Sequence, residues 1–191
     1  MTKDSNSMSN KIILYLIGKP GVGKYTIACE LEKRGFVVCD NQLANNPIFS
    51  LLQYDGFTKI PAYAWNVIKK IRGAIFDFIL LEPNNNYVLT NVLNEDEGDN
   101  ELYKQVKKLA SDRKSHFIPV KLSIAQDEHI KRISYISRRD RYKSIDLNDA
   151  YDTTPLLSID DKNLLEIDVT NLSAIQSAEK ILDHINTTIK A

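Results

Sequence analysis

The sequence predicts an α/β fold in which helices cover both faces of a parallel sheet. Short apolar runs alternate with segments of helical periodicity from one end of the chain to the other. The first run, IILYLI at Ile12–Ile17, is unbroken, as in a central strand buried on both faces. A glycine-rich turn, GKPGVGK at residues 18–24, leads from that run straight into a helical stretch.

The elements follow in order. After the turn, TIACELEKRG places Ile27 and Leu31 at helical spacing and stops at Gly35. FVVCD, residues 36–40, is a second buried strand ending in an acid. NQLANNPIFSLLQY reads as a helix or an irregular segment, and a long helix then opens at Pro61 and closes before Pro83. YVLTNVL, residues 87–93, is the third strand, followed by an exposed acidic loop at Glu95, Asp96 and Glu97 and a helix over residues 101–114. HFIPVKLSI, residues 116–124, is the fourth strand, where Pro119 removes a ladder donor and implies a bulge or a later start near Val120. A helix from Gln126 runs into the charged segment RRDRYK, and residues 163–169 form the fifth strand. The last helix begins at Ser173, which has capping-box spacing to Gln176, and Ala178, Ile181, Leu182 and Ile185 form its core-facing stripe.

Composition bounds the function. The 191 residues suit one domain, with a polar tail over residues 1–10 that is expected to be disordered and to be no signal peptide. The 25 basic and 25 acidic residues cancel, so no global field exists to hold nucleic acid or an anionic membrane. No apolar run approaches the ~20 residues of a membrane span. Cys29 and Cys39 have neither metal-ligand spacing nor a disulfide framework, which points to a reducing cytoplasm.

The turn fits the G-x-x-x-x-G-K phosphate-binding loop with its strand and helix in place. Glycines let several N–H groups converge on one phosphate, and the helix N-terminus adds a favourable dipole. Lys24 then reaches the β- and γ-phosphates as a point charge. Position 25 departs from the pattern: Tyr25 stands where a Ser or Thr hydroxyl usually ligates Mg²⁺, and the hydroxyl comes one residue later at Thr26. A phenol is too long for that geometry, so the ion must find another oxygen, take an extra water or bind more weakly.

Three further features carry candidate chemistry. Asp40 ends the second strand, where ligands of open parallel sheets bind; it suits a proton acceptor or a metal-water ligand, or else caps the next helix. Arg72 falls inside the apolar stripe Trp65, Ile68, Ile71, Ile75, Phe76 and Ile79, so it needs a structural carboxylate or an anionic substrate as partner. KRISYISRRDRYK concentrates Lys131, Arg132, Arg138, Arg139, Arg141 and Lys143 between the fourth strand's helix and the fifth strand. Such a segment either closes over bound phosphates or is a solvated basic loop, and Arg138 and Arg139 are the arginines expected to stabilise transferred charge.

Taken together, LIGKPGVGKYTIA, FVVCD, the arginine segment and LLEIDVTNLSAIQSAEKILDHI resemble the shikimate-kinase-like and nucleotide-kinase-like proteins, P-loop small-molecule kinases. The resemblance runs from Ile12 to Ile185. It implies a three-layer α/β/α fold with five parallel strands in the order 2-3-1-4-5. It also implies one kinase-like domain over residues 11–191, with a substrate region near residues 41–82 and a lid near 132–146. By position it implies ATP with Mg²⁺ as cofactors. Gly18, Gly21, Val22, Gly23, Lys24, Tyr25 and Thr26 would lie along the phosphates, and Thr26 and Asp40 near the metal. Asp40 and Arg72 would lie near the acceptor, Arg132 and Arg138 on the lid, and Thr170 and Asn171 near adenine. No glycine-rich substrate motif follows the third strand, which sets the chain apart from shikimate kinases proper. The implied activity is phosphoryl transfer from ATP to a hydroxyl or phosphate of a small metabolite, nucleoside or nucleotide. The alternative is a non-catalytic ATP or ADP sensor. A GTP switch is disfavoured because the chain has no N-K-x-D signature. The acceptor and the oligomeric state are not legible.

Overall fold

In a computed structural model of the chain, residues 11–190 are described, and the predicted tail at residues 1–10 lies outside them. The elements run β1 (Ile12–Ile17), α1 (Lys24–Glu32), β2 (Phe36–Asp40), α2 (Gln42–Leu51), α3 (Ala62–Leu81), β3 (Asn86–Asn91), α4 (Glu97–Asp112), β4 (His116–Ser123), α5 (Gln126–Ile133), a 3₁₀ turn (Ile136–Arg141), α6 (Asn148–Tyr151), β5 (Leu165–Asp168) and α7 (Ala174–Lys190).

The side-chain alternation of β1 creates the layers. Ile12, Leu14 and Leu16 enter one core with Ile27, Ala28 and Leu31 of α1 and Ala178, Ile181 and Ile185 of α7. Ile13, Tyr15 and Ile17 enter a second core with Ile79 of α3 and Leu102, Tyr103, Val106, Leu109 and Ala110 of α4. A strand that is apolar on both faces has to be covered on both, and here it is. The sheet is parallel throughout in the order β2-β3-β1-β4-β5. β1 and β3 end opposite each other at Ile17 and Asn91 and β2 ends one residue earlier, opposite Thr90, so the loop after β1 opens where the carboxyl ends of β2 and β3 also point. A smaller cluster of Ala44, Phe49 and Ile68 joins α2 to α3 beside that opening.

Three local expectations change. Pro119 neither bulges nor delays β4, since it pairs with Tyr15 in unbroken register. The Phe117 carbonyl accepts from Asn163 and the Ser123 carbonyl from Val169 N–H, so the odd residues of β4 face β5. β5 begins only opposite Val120, so the donor that Pro119 lacks has no ladder partner to lose. Of the exposed acids after β3, Asp96 and Glu97 start α4 rather than a loop: the Asp96 side chain accepts from Asp99 N–H and caps it. The long helix is less buried than its stripe suggests, with Trp65 39% exposed and only Ala64, Ile68 and Ile79 fully inside. The capping box at the last helix forms in both directions, Ser173 N–H to Gln176 Oε1 at 2.9 Å and Gln176 N–H to Ser173 Oγ at 3.2 Å.

Candidate active site

The loop after β1 has the backbone an anion needs. Gly21 and Gly23 hold φ of +87° and +109°, a region from which side-chain-bearing residues are largely barred. A Cβ on Gly21 would sit 3.2 Å from the His129 ring and from Ile133. Gly23 precedes α1 without any side-chain cap, and among the described residues no carbonyl or side chain accepts from the N–H groups of Gly23, Lys24, Tyr25 or Thr26. These donors converge at the positive end of the helix. Val22 turns into the core, so its contribution is the loop's shape. Lys24 folds back onto its own loop, donating to the carbonyls of Gly18 and Lys19. Burial, then the neighbouring charges of Lys143 and Arg138, bring its pKa down to about 7.

Opposite the loop, Asp40 is buried at the end of β2 and fully engaged. Its Oδ1 accepts from Thr90 Oγ1 at 2.9 Å and from Gln42 N–H at 3.4 Å. Its Oδ2 accepts from Arg141 Nη2 and from Lys143 Nζ, both at 3.1 Å. Burial alone would raise its pKa, but the Lys143 ammonium and the bonds from Thr90, Lys143 and Gln42 outweigh it and hold the carboxyl below the usual range. Tyr25 joins the same cluster. Its hydroxyl accepts from Arg141 Nη1 at 2.9 Å, and its ring carries the Arg141 guanidinium 3.7 Å and the Lys143 ammonium 4.4 Å from its centroid.

Between β2 and β3 an amide network fixes the floor. Tyr15 Oη donates to Asn91 Oδ1, Asn91 Nδ2 donates to Asn41 Oδ1, and Arg72 Nη2 donates to the same Asn41 oxygen at 3.3 Å. The loop, this floor and the arginine segment border a cavity of about 750 Å³. One side is lined by Phe49, Tyr54, Ile60, Trp65 and Tyr142, and the other by Leu172, Ser173, Ala174 and Ser177. An apolar wall with a few converging polar groups is the usual character of a small-molecule site.

The residues expected from the sequence divide between those the cavity gathers and those it leaves outside. Gly21, Gly23, Lys24, Tyr25, Thr26, Arg132 and Arg138 line it, and Asp40 lies beneath Arg141 and Lys143. Arg139 is exposed and outside the lining. The segment is a 3₁₀ turn with three residues per turn, so Arg138 and Arg141 share a face while Arg139 is rotated away. Arg132 is on α5, braced by Glu128 Oε1 at 2.8 Å and by the carbonyls of Val169 and Thr170. Thr170 is itself committed to Asp168 and to Ala125 N–H, and Asn171 is exposed, so Leu172 to Ala174 present the wall there instead. Arg72 is half-buried on an amide and forms no ion pair among the described residues. Arg141 and Lys143, lost among the basic residues of the segment, hold the centre.

The donor set fits the phosphates of ATP and leaves Mg²⁺ no free carboxylate, the unpartnered oxygens on the wall being the neutral amides of Gln42 and Asn45 and the Thr26 hydroxyl. Asp40, Tyr25, Asn91 and Asn41 have their side-chain oxygens occupied by cationic or hydrogen-bonding partners. The Thr26 side chain makes no hydrogen bond among the described residues, yet one hydroxyl is not a coordination shell.

No protein-family model matches the chain, and no curated protein matches it. Solved structures do. A candidate kinase from Chloroflexus aurantiacus superposes with a TM-score of 0.65 at 15% identity, covering 95% of this chain and 99% of that one. A gluconokinase from Sinorhizobium meliloti gives 0.59 at 13% identity, with 97% and 96% covered. A shikimate kinase from Acinetobacter baumannii in complex with shikimate gives 0.52 at 15%, with 95% and 96% covered. Likeness at such identity establishes the fold: the chain has the three-layer α/β/α architecture of P-loop kinases, with the strand order the sequence implied.

Proposed function

We propose that this chain binds ATP with its phosphates against residues 18–26 and transfers the γ-phosphoryl group to a hydroxyl of a small acceptor. The observation that carries this reading is the meeting, in one cavity, of unpartnered loop N–H groups, Lys24, Arg138, Arg141 and Lys143, with Asp40 at the floor. Residues 11–191 act as one kinase-like domain, residues 41–82 hold the acceptor, and residues 132–146 are the lid. Free thiols at Cys29 and Cys39 accord with the reducing cytoplasm, where ATP is abundant.

Phosphoryl transfer asks the protein mainly to position groups and to neutralise charge. When phosphates arrive, Lys24 exchanges its two loop carbonyls for β- and γ-oxygens. Arg138 and Arg141, on one face of the 3₁₀ turn, reach the transferred group. The acceptor oxygen attacks phosphorus as the bond to the ADP oxygen breaks. Asp40 orients the acceptor's O–H at the site that Arg141 vacates on reaching the transferred group, and because its pKa is held low it passes the proton on to solvent or product. The aromatic wall of Phe49, Tyr54 and Trp65 excludes water from the nucleophile's side.

A second reading, a non-catalytic ATP or ADP sensor, is favoured by one observation: the Asp40 carboxylate is already saturated by lid cations. Release of ADP from ATP across a panel of hydroxyl-bearing metabolites, nucleosides and nucleotides separates the two. An acceptor-dependent rate supports the kinase. Nucleotide binding with no acceptor-dependent rate leaves the sensor.

A further inference from the structure

The Asp40–Tyr25 cluster has no opening for a divalent cation. A carboxylate offers about four lone-pair sites. In Asp40 these are taken by Thr90 and the Gln42 N–H on one oxygen and by Arg141 and Lys143 on the other. The other oxygens of the cluster are committed as well, and the cavity's unpartnered side-chain oxygens, on Gln42, Asn45 and Thr26, are all neutral. The Tyr25 phenol accepts from Arg141. β3 ends in Asn91 rather than an acid, and its side-chain oxygen Oδ1 accepts from Tyr15 Oη. Asn41 Oδ1 accepts from both Asn91 and Arg72. Mg²⁺ demands near-octahedral oxygen coordination and sheds water reluctantly, so it cannot take these atoms without breaking the cluster. An ion at Asp40 Oδ2 would also stand beside two fixed positive charges that share that oxygen.

The charge on the cavity wall points the same way. Lys24, Arg132, Arg138, Arg141 and Lys143 line it, and no Asp or Glu does. Arg132 is matched by Glu128, and Asp40 beneath the wall answers one further charge. The remaining excess is positive and is directed at the loop. A metal-complexed nucleotide brings part of its own neutralisation, whereas an uncomplexed polyphosphate needs what this wall supplies.

We propose that Lys143 and Arg141, anchored on Asp40 and Tyr25, take the place of the divalent cation, so that the loop binds metal-free polyphosphate. Tyr25 then has a positive role. A serine or threonine there would leave the two cations without the ring they stack on and would open the ligand position for a metal. The inference rests on the loop's being a nucleotide site, as proposed above.

The test is a calorimetric titration of ADP into the full-length protein in excess EDTA and again in millimolar MgCl₂, with inorganic pyrophosphate as a second probe. ADP affinity in EDTA equal to or above that in Mg²⁺, with pyrophosphate behaving likewise, is the expected result. Binding that appears only with Mg²⁺ overturns the inference and leaves the nucleotide site standing. Binding in neither condition overturns the nucleotide site and the inference together. Lys143→Ala should weaken ADP in EDTA about tenfold, as expected for loss of one charge-assisted contact. The double variant Tyr25→Ser with Lys143→Ala should recover part of that loss on adding Mg²⁺. Wild-type affinity for ADP in EDTA in both variants would contradict the substitution of cations for metal. Should either variant fail to fold, the wild-type comparison decides alone.

Discussion

The glycine loop and the arginine segment border one cavity but are specified in different ways. The loop works through its backbone: two glycines at positive φ and a helix start without a cap create the donors, whatever the side chains. The arginine segment works through side chains whose direction depends on the turn that carries them. Arg138, Arg139 and Arg141 are chemically equivalent in sequence, yet the 3₁₀ geometry brings two of them inward and leaves the third in solvent. A backbone-encoded site is therefore visible as a motif, and a side-chain-encoded one only after the local helix type is known.

The sharpest way to break that contrast is to compare the three arginines. Arg138→Ala and Arg141→Ala should each lower turnover on the order of 10³-fold, as for a positioned arginine in phosphoryl transfer. Arg139→Ala should stay near wild type, with stability within about ±0.5 kcal/mol. Single-turnover transfer, or background ATP hydrolysis before an acceptor is known, makes the measurement. Equal losses at all three positions would mean that the segment acts as a diffuse basic loop.

On the loop side the corresponding change is Gly21→Ala. It combines a disallowed φ with contacts of 3.2 Å to His129 and Ile133, so urea denaturation should show a loss of about 1–3 kcal/mol. ADP binding should fall with it. Gly23→Ala meets only Arg132 Nη1, at 3.7 Å, and carries the conformational strain without the close contact. It should therefore cost less, and the reverse order would place the loop's constraint elsewhere.

A smaller effect links the two regions through Lys24. In the free protein, burial and the charges of Lys143 and Arg138 bring its pKa from 10.5 to about 7. Phosphate on the loop raises it again, so above pH 7 the complex holds a proton that the free protein has lost. ADP affinity should then fall as pH rises, by up to about tenfold per unit at the steepest. The free protein should gain stability over the same interval, because unfolded chains keep the proton that folded Lys24 has lost. ADP titrations and thermal melts between pH 7 and 9 measure both. An affinity that is flat with pH would mean that Lys24 stays charged in the free protein.

Much of this architecture was legible because it depends on periodicity and on single residues. The unbroken apolar run of β1 predicted a strand covered on both faces, and the Ser173–Gln176 spacing predicted the start of α7. What escaped depended on pairing across the fold. Pro119 could be judged harmless only once β5 was known to start opposite Val120. Asp96 belonged to α4 because its side chain turns back to Asp99, a choice that an acidic cluster conceals. The engagement of the Thr170 hydroxyl with Asp168 and with Ala125 N–H was likewise invisible in the sequence. The early signs of the central cluster were Asp40 at the end of the second strand and Tyr25, an anomaly in the motif whose partners lie 116 residues away at Arg141 and nearby at Lys143.

The central claim is that residues 18–26 hold nucleotide phosphates with Lys24 as their fixed cation. Titration of ATP and ADP into wild type and Lys24→Ala, with circular dichroism to confirm that both are folded, tests it most directly. Saturable binding to wild type, and its loss in the folded variant, is the predicted result. Undiminished binding to Lys24→Ala would contradict the assignment.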